Sequence, residues 1–487
     1  MDLAIALDRK AAIPLHRQLY EELRRAILER RLSQGQRLPS TRLLAKSLGV
    51  SRLTVTQSYE QLIDEGYLQT IVGSGTFVCT QLPDDLLHSA SSPSENKMAR
   101  LPIKLSHYAA VLTEIDIPNM AGPNTPISFR YGRPAFDQFP IQLWRKLLFR
   151  HSRASLDWLD YASDPLGHRP LREAIAHYLS RSRAVQCEPD QILLVGGTQQ
   201  ALDLIARLLV NPDETIALEE PSYLAVRRHT FLSQGAKLLP IPVDESGLVV
   251  EQLAKFSSDN IKLVYVTPSH QFPTGAVLSL QRRLELLSWA QQTTAIIIED
   301  DYDSEYRYEG QPIPALQGLH SSNTVVYIGS FSKMLFPSLR IGYLVLPQQL
   351  IPVFARAKWL IDRQLPLLEQ HVLADFIQEG YLERHLRRMR LYYDQRRQVL
   401  VQAIKVHLGE RATILGENAG IHLIVRLHTN LSDEDIIHRA RRVGVGMVTT
   451  KPYYLQAAPS GEFIFGYSAL TVQQLEEGIH KLTEVLC

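Results

Sequence analysis

The chain has 487 residues, 45% of them hydrophobic, and a formal net charge of +1. A chain of this length should hold more than one domain and can bury large cores. Its cysteines, Cys79, Cys187 and Cys487, are scattered without metal-ligand spacing, and no apolar run reaches membrane-spanning length. These features exclude a disulfide scaffold, a cysteine metal site and a membrane-spanning helix. The first ten residues show no signal-peptide pattern, so we expect a cytoplasmic protein.

Residues 1–80 carry a modest excess of Arg and Lys over acids and predict three helices. The first has one apolar face at amphipathic spacing, formed by Leu15, Leu19, Leu23 and Ile27. The second should begin at Ser40 as its N-cap and stop at Gly49. The third should run from Ser51 to about Glu65.

A hairpin should follow, with short strands at 67–70 and 76–78 around Gly73-Ser74-Gly75. Three helices and a hairpin predict a winged helix-turn-helix in residues 1–80. The third helix would enter the major groove with its N-terminal turn, which places Arg52 best to meet a base edge or a phosphate.

The sequence changes character twice after the hairpin. Residues 81–125 begin with a polar, serine-rich stretch that cannot bury much apolar surface, so we expect a flexible linker. From 126 to 487, apolar strands alternate with helices, which predicts an α/β domain with a mainly parallel sheet. A long helix is expected near 351–364, and a smaller α+β subdomain from about Leu391. The expected strands are 192–195, 216–218, 263–266, 296–299, 325–328 and 343–346.

Lys333 leaves the end of one predicted strand in the run Ser330-Phe331-Ser332-Lys333, with Arg340 seven residues later. Open α/β sheets bind ligands at the carboxyl ends of their strands. A lysine, two hydroxyl groups and a guanidinium at such an end suit a Schiff base beside a bound dianion.

A second predicted strand ends in Glu299-Asp300-Asp301-Tyr302, and so delivers carboxylates and a phenol to the same edge. Asp301 is the neighbouring alternative to Asp300 for any role of the carboxylate. A third strand ends at Gly196-Gly197, and the helix that follows would point its amide groups at a phosphate.

These motifs resemble the fold-type I enzymes of pyridoxal 5'-phosphate, the aspartate aminotransferase-like class. The resemblance implies that Lys333 is the catalytic lysine that forms the internal aldimine. It also implies that Asp300 hydrogen-bonds the pyridine nitrogen and that Tyr302 contacts the phenolic oxygen. The implied phosphate-binding residues are Gly197, Thr198, Gln199, Ser330, Ser332 and Arg340.

Two tyrosines complete the implied cofactor site. Tyr223, in Glu220-Pro221-Ser222-Tyr223, matches the aromatic residue that stacks on the ring. Tyr161, in Tyr161-Ala162-Ser163-Asp164, matches the tyrosine that reaches the phosphate from a neighbouring subunit, which implies a homodimer.

The N-terminal motifs, Leu38-Pro39-Ser40-Thr41-Arg42 above all, resemble the GntR family of bacterial repressors. That resemblance implies DNA contacts by Arg42, Arg52, Thr54 and the wing tip at Gly73 or Gly75. Thr56 stands where some members carry another arginine, which leaves the base readout open.

Both resemblances in one chain identify it as similar to the MocR subfamily of GntR regulators. The fold class implied is a winged helix-turn-helix joined by a linker to a fold-type I, aminotransferase-like α/β domain. Such proteins are head-to-tail dimers that bind a double-stranded DNA operator and use the cofactor domain as a sensor of pyridoxal phosphate or of an amine or amino-acid ligand.

The large domain departs from working aminotransferases at two places. Phe272 stands where their asparagine bonds the phenolic oxygen, so Tyr302 would carry that contact alone or with help from His270 or Gln271. No arginine occurs in 461–467 to clamp a substrate carboxylate, and Lys451 is the cationic substitute considered. We therefore expect a regulator, with slow or half-reaction transamination at most and no metal. The alternatives are an active aminotransferase with a DNA-binding appendage and a regulator that has lost the cofactor.

Overall fold

The computed structural model describes residues 5, 7–9, 11, 13–84, 104–113, 125–154, 156–161, 164–223, 230–256, 261–310, 313–319 and 323–486. The chain forms two compact units, residues 1–103 and 104–487. Most of the predicted linker lies outside the described residues. One short helix, His107–Thr113, forms within the predicted linker, and the Arg207 guanidinium lies 5.4 Å from the Tyr108 ring centre.

The first unit has three helices and a hairpin: α1 (Leu15–Leu28), α2 (Thr41–Leu48), α3 (Arg52–Asp64), β1 (Leu68–Ile71) and β2 (Gly75–Val78). Of the apolar face predicted for α1, Leu19, Leu23 and Ile27 are buried, and Leu15 is partly buried. The Ser40 hydroxyl accepts a hydrogen bond from the Leu43 amide at 3.3 Å, and Gly49 ends α2 at φ 61°. The predicted winged helix-turn-helix, with both caps, is confirmed.

The second unit is built on an eight-stranded sheet in the order β4-β11-β10-β9-β8-β5-β6-β7. Its strands are parallel except β11, which runs against β4 and β10, and β7, which runs against β6. The strands are β4 (Ile192–Val195), β5 (Thr215–Glu220), β6 (Lys237–Asp244), β7 (Gly247–Leu248), β8 (Ile261–Val266), β9 (Ile296–Asp301), β10 (Val325–Ser330) and β11 (Gly342–Val345).

Helices cover this sheet because the strands are apolar on both faces and must be shielded from water. With His107–Thr113 as α4, the described helices that follow are α5 (Ile141–Ala154), α6 (Arg169–Ser182), α7 (Thr198–Leu209), α8 (Leu280–Thr293), α9 (Leu316–Leu319), α10 (Ile351–Asp362), α11 (Leu367–Gln378), α12 (Tyr381–His407), α13 (Asp433–Arg442) and α14 (Val472–Val485).

A smaller antiparallel sheet has the order β12-β13-β16-β15, and a separate parallel pair joins β3 (Ile127–Ser128) to β14 (Val445–Gly446). The small sheet contains β12 (Ala412–Leu415), β13 (His422–Leu427), β15 (Val448–Thr449) and β16 (Glu462–Gly466). The pairing of β3 with β14 ties the start of this unit to its C-terminal part.

All six strands predicted for the large sheet are present, with ends that differ by up to two residues. The boundary predicted near Leu391 is wrong, because the single helix α12 continues from Tyr381 to His407 and the small sheet begins only at Ala412. The mixed polar and apolar sequence there reflects one long helix with a buried and an exposed side. Among the described helices, none is long and apolar enough to cross a membrane.

Candidate cofactor site and nucleic-acid interface

The large sheet brings the strand-end motifs to one edge. Because β4, β5, β8, β9 and β10 are parallel, their carboxyl ends all lie at that edge. The antiparallel β11 begins there, which brings Arg340, just before this strand, to the same edge. Sequence motifs that are more than a hundred residues apart therefore meet.

Lys333 contacts a segment that the sequence analysis did not single out. Its Nζ donates a hydrogen bond to the Gly132 carbonyl at 2.8 Å. A Cβ at position 132 would lie 2.8 Å from the same Nζ, and Gly132 has φ +77°, so only glycine fits without displacing the lysine. Burial lowers the pKa of Lys333, and the Arg130 charge lowers it further. A lowered pKa favours the neutral, nucleophilic amine.

Asp300 and Asp301 point to opposite sides of β9, as neighbours in a strand must. Asp301 accepts hydrogen bonds from Arg183 at 2.7 Å and Tyr327 at 2.6 Å. Asp300 accepts one from Tyr265 at 2.8 Å, while its other oxygen is buried with no hydrogen-bond partner among the described residues. Desolvation raises the pKa of Asp300 to about 7, and the Lys333 charge opposes that rise. Asp300 is thus the carboxylate on the Lys333 side, which supports the choice made from sequence.

An anion cradle lies where β4 turns into α7. Gly197 caps α7 with φ +100°, and a Cβ there would lie 3.3 Å from the Arg340 guanidinium, which donates to the Gly196 carbonyl. On the β10 side, the Ser330 hydroxyl donates to the Ser332 hydroxyl at 2.9 Å. The cradle thus combines a helix N-terminus, a guanidinium and hydroxyl groups.

Gln199 and Thr198, two predicted members of the cradle, differ in their exposure to solvent. The Gln199 side chain is exposed and donates to Thr230 at 3.1 Å. Thr198 opens α7 and is partly buried. Their roles toward a phosphate stay predictions.

Aromatic rings form the wall of the site. The Tyr223 ring packs edge-on against Phe272 at 5.8 Å, and Phe272 also lies 6.1 Å from the Tyr302 ring and 5.2 Å from the Tyr131 ring. Phe272 is only 5% exposed, and the Tyr131 and Tyr453 hydroxyl groups are 2.5 Å apart. The residue that replaces the aminotransferase asparagine is thus an apolar centre of this wall.

The neighbour that the Tyr302 hydroxyl contacts is His270 rather than Gln271. The Tyr302 hydroxyl lies 3.0 Å from His270 Nδ1. The Gln271 amide is used within its own loop, where it donates to the carbonyl groups of Pro221 at 2.7 Å and Phe272 at 2.8 Å. Of the two helpers considered from sequence, only His270 contacts Tyr302 among the described residues.

The wall carries no cation on β16. Ile464 of this strand is fully buried and packs with Phe272 and Tyr453. Lys451, the substitute considered from sequence, has its Nζ 3.5 Å from Asp433 and 3.3 Å from Glu434, so its charge is already matched. Its role with a ligand stays a prediction that these contacts do not support.

Arg130 is the cation that the sequence analysis missed. It is partly buried, and no hydrogen bond or ion pair joins its guanidinium to any part of the chain that the structure describes. Its charge is close enough to lower the pKa of Lys333. The signal in the sequence was the pattern Phe129-Arg130-Tyr131-Gly132, whose glycine contacts the lysine.

Tyr161 lies on the surface, with 72% of it exposed. The Arg363 guanidinium stacks on its ring at 5.0 Å and on the Trp359 ring at 5.1 Å. Within the described parts of the chain, no contact joins Tyr161 to Lys333 or to the anion cradle. Its role across a subunit interface stays a prediction.

The predicted DNA-binding residues lie on the exposed side of the first unit. Arg42 and Arg52 are exposed, and neither forms an ion pair with a described residue. Thr54 Oγ1 lies 2.8 Å from the Ser51 hydroxyl at the start of α3. Gly73 has open space around it, whereas a Cβ at Gly75 would lie 3.0 Å from Arg37. Arg37 is thus a further cation at the wing.

Comparison with known proteins matches each unit to a family. Residues 15–78 match bacterial regulatory proteins of the gntR family, and residues 125–482 match aminotransferase class I and II. The chain is 41% identical over 478 residues to the probable rhizopine catabolism regulatory protein MocR of Rhizobium meliloti, covering 98% of this chain and 95% of that protein.

This chain belongs to the MocR-type regulators of the GntR family.

Two further similarities agree with this membership. The MocR-type chain is 30% identical to the pyridoxine biosynthesis transcriptional regulator PdxR of Corynebacterium glutamicum, over 96% of this chain and 95% of that protein. It also resembles the multiple substrate aminotransferase of Thermococcus profundus, with a TM-score of 0.69, 27% identity and coverage of 79% of this chain and 95% of that one. Membership implies DNA binding by the head and pyridoxal phosphate as cofactor of the large domain.

The residues of this MocR-type regulator fit that cofactor. The buried, unpartnered oxygen of Asp300 suits the protonated pyridine nitrogen, since an unpaired buried acceptor is costly. The amine of Lys333 has a lowered pKa, as attack on an aldehyde requires. The cradle at Gly197 and Arg340 suits the phosphate.

The raised pKa of Asp300 predicts how stability depends on pH in the cofactor-free regulator. An acid whose pKa is about 7 when folded, against about 3.9 when unfolded, binds more protons in the folded state between those values. The free energy of unfolding should therefore fall as pH rises from about 5 to about 7, and Asp300→Asn should reduce this slope by up to about 1.4 kcal/mol per pH unit. Urea unfolding across this range measures the slope.

Asp213→Asn is the control, because this aspartate is 82% exposed. Saturation with pyridoxal phosphate should also flatten the slope by supplying a positive charge to Asp300. An unchanged slope in Asp300→Asn would show that the carboxyl ionises normally.

Proposed function

We propose that this chain is a transcriptional regulator that holds pyridoxal phosphate on Lys333 and changes its action on DNA when the cofactor or an amine or amino-acid ligand binds. The observation that carries the proposal is a DNA-binding head joined to a site that has Lys333, Asp300 and Arg340 but no arginine on β16, where Ile464 is buried against Phe272. We assign residues 1–80 to the head, 81–125 to a linker and 126–487 to the cofactor domain.

When bound, pyridoxal phosphate supplies an aldehyde that links to amines and a ring that withdraws electrons. Lys333 would provide the amine, and Asp300 would hold a proton on the ring nitrogen. Tyr223 would cover one face of the ring. Arg340, with Gly197, Thr198, Ser330 and Ser332 around it, would bind the phosphate by charge-assisted hydrogen bonds.

Substitution of the lysine and the arginine tests this arrangement. Lys333→Ala should keep the fold, measured by circular dichroism, and lose the visible chromophore that borohydride traps. Arg340→Ala should weaken cofactor binding by about 2 kcal/mol, since hydrogen bonds to charged groups are the stronger class. Equilibrium dialysis measures that loss.

Lys262→Ala is the control for the lysine, because its side chain is 43% exposed at the far end of β8 from Lys333. Arg340→Lys keeps the positive charge and removes the guanidinium fork, so it separates the two contributions to phosphate binding. A borohydride-stable adduct at full occupancy in Lys333→Ala would remove that residue from its role.

The unmatched charges of Arg42 and Arg52 support their assignment to DNA, because exposed cations without acidic neighbours are available to phosphates. Arg52→Ala should weaken binding to the protein's own upstream DNA by about 1 to 3 kcal/mol if it meets a base. If it meets a phosphate, the salt dependence of binding should flatten by about one unit of slope. Titrations at several salt concentrations distinguish the two.

Arg31→Ala is the matched control, because this arginine is 46% exposed and paired with Glu29 at 2.7 Å. Parent-like affinity and salt dependence in Arg52→Ala would place the DNA contact elsewhere on the head.

Sensing requires that a ligand favours one arrangement of the protein on DNA over another. Arg130 is our candidate for the acidic group of an amino-acid ligand, because its guanidinium has no acidic partner among the described residues and its charge is felt at Lys333. We would measure DNA affinity, DNA bending and transcription with and without the cofactor. The same measurements, on the parent and on Arg130→Ala, should then compare amines with matched amino acids. Sustained turnover of an amino acid with a 2-oxo acid, without any effect on DNA, would favour the aminotransferase alternative.

We also propose a homodimer, arranged head to tail, in which Tyr161 reaches the partner's phosphate. An exposed apolar surface around Tyr161 supports it, because patches of this kind mark interaction sites. Its members with their exposed fractions are Leu156 70%, Leu159 65%, Tyr161 72%, Trp359 50% and Leu360 75%.

A charge placed in that surface should separate the subunits. Leu360→Glu should shift sedimentation from dimer to monomer, since an unpaired charge in an apolar interface costs several kcal/mol. Leu391→Glu is the control, because Leu391 is 76% exposed on α12. A monomeric parent, or a dimer in both variants, would contradict this interface.

A further inference from the structure

Three buried or partly buried groups form a chain of contacts beside Lys333. The Tyr302 hydroxyl lies 3.0 Å from His270 Nδ1, and the same nitrogen lies 3.0 and 3.2 Å from the two carboxylate oxygens of Asp303. His270 and Asp303 are each 1% exposed. Asp303 raises the pKa of Lys333, so the cluster is within electrostatic reach of the reactive amine.

The direction of the hydrogen bonds follows from the carboxylate. Two oxygens within 3.2 Å of Nδ1 require a proton on that nitrogen, because a bare nitrogen lone pair would repel them. Nε2 of His270 is buried without a hydrogen-bond partner among the described residues. A protonated Nδ1 has no free lone pair, so the Tyr302 hydroxyl cannot donate a hydrogen bond to it. The hydroxyl proton of Tyr302 must therefore point away from His270.

The Gly420 backbone and the His422 ring pack against the histidine. A Cβ at Gly420 would lie 2.0 Å from His270 Cε1 and 2.7 Å from an Asp303 oxygen, so the backbone at Gly420 closes over the pair. On its other side the ring packs against His422, with centroids 4.9 Å apart. In the described structure, the titratable groups around this cluster are Glu219, Asp300, Asp301, Lys333 and His422, together with Tyr306, Tyr308 and Tyr467.

We propose that Asp303 and His270 are positioning residues that aim the Tyr302 hydroxyl at the phenolic oxygen of the cofactor and so replace the asparagine missing at Phe272. The proposal rests on the proposed function, since it concerns how the cofactor domain holds its cofactor.

The positioning of Tyr302 by Asp303 and His270 should change how the visible spectrum of the lysine-linked cofactor depends on pH. A hydrogen bond donated to the phenolic oxygen competes with the proton on the linkage nitrogen and so lowers the pH at which that nitrogen deprotonates. Loss of this bond should raise that pH. Loss of the Asp303 charge alone acts in the opposite direction, because a nearby anion favours the protonated, cationic linkage.

A double-mutant cycle uses this difference in sign. Tyr302→Phe should raise the transition pH of the visible band by about one unit or more. Asp303→Asn should also raise the transition pH. An amide no longer requires a proton on Nδ1, so the tyrosine can donate to the histidine instead of to the cofactor. An Asp-to-Asn change selects the wrong histidine tautomer in the same way in hydrolase triads. In the Tyr302→Phe background, Asp303→Asn should lower it. His270→Gln should also raise the transition pH, and this variant replaces Asp303→Asn in the test if Asp303→Asn does not fold.

Tyr392→Phe is the control, since its hydroxyl accepts a hydrogen bond from Arg396 at 2.6 Å and contacts none of Tyr302, His270 and Asp303 among the described residues. A downward shift in Asp303→Asn with Tyr302 present would overturn the relay and leave only the charge effect. His270, Asp303 and His422 could instead form a metal site, because their ligand atoms lie within 4.8 Å of one another. Titration with Zn²⁺ tests this alternative. A transition pH that depends on added Zn²⁺ would also overturn the proposal, whereas a parent without any visible band would contradict the proposed function instead.

Discussion

The burial of Asp300 at the end of β9 is the constraint on which the large unit depends. A carboxylate there has one oxygen bonded to Tyr265 and the other without a partner among the described residues. An unpaired buried charge is costly unless it is neutralised. The protein meets this cost with a raised pKa, and a cofactor with a protonated ring nitrogen would remove the cost by supplying the opposite charge. The site is therefore prepared for a cation at this position.

Asp300 is part of a larger accumulation of acids at the same edge. Desolvation raises the pKa of Glu219, Glu299 and Glu305 to about 7 as well. The nearby cations are mostly used in other contacts, since Arg183 pairs with Asp301 and Arg283 donates to three backbone carbonyl groups. The Lys333 charge acts on Asp300, and the Arg130 charge acts on Lys333. This balance suits a ligand that arrives with a cationic ring and a separate phosphate.

Under the proposed function, the wall formed by Phe272, Tyr131, Tyr453 and Ile464 would allow cofactor binding without efficient turnover. Catalysis requires a substrate held in one orientation, and a guanidinium fork provides that orientation for a carboxylate. An apolar wall can accommodate a ligand without fixing it in this way. A sensor needs only a difference in affinity between two states of the protein, so loss of the clamp is compatible with regulation.

The sequence determined the elements and the strand-end motifs. Apolar runs of β4, β8, β9 and β10 predicted buried parallel strands because such strands are apolar on both faces. Ser40 and Gly49 predicted the limits of α2 because helix caps are local interactions. Lys333, Asp300 and Arg340 were found because they lie directly beside those elements.

Only the tertiary structure decided which residues contact these site residues. Gly132 contacts Lys333 across 201 residues, and Tyr265 contacts Asp300 across 35. The boundary near Leu391 was misplaced because α12 is stabilised by packing along its length rather than by local signals. Gly420, which precedes β13, closes over His270, and no local pattern encodes that contact. Side-chain contacts between distant elements depend on how the sheets pack, and periodicity and capping in a single sequence carry no information about that packing.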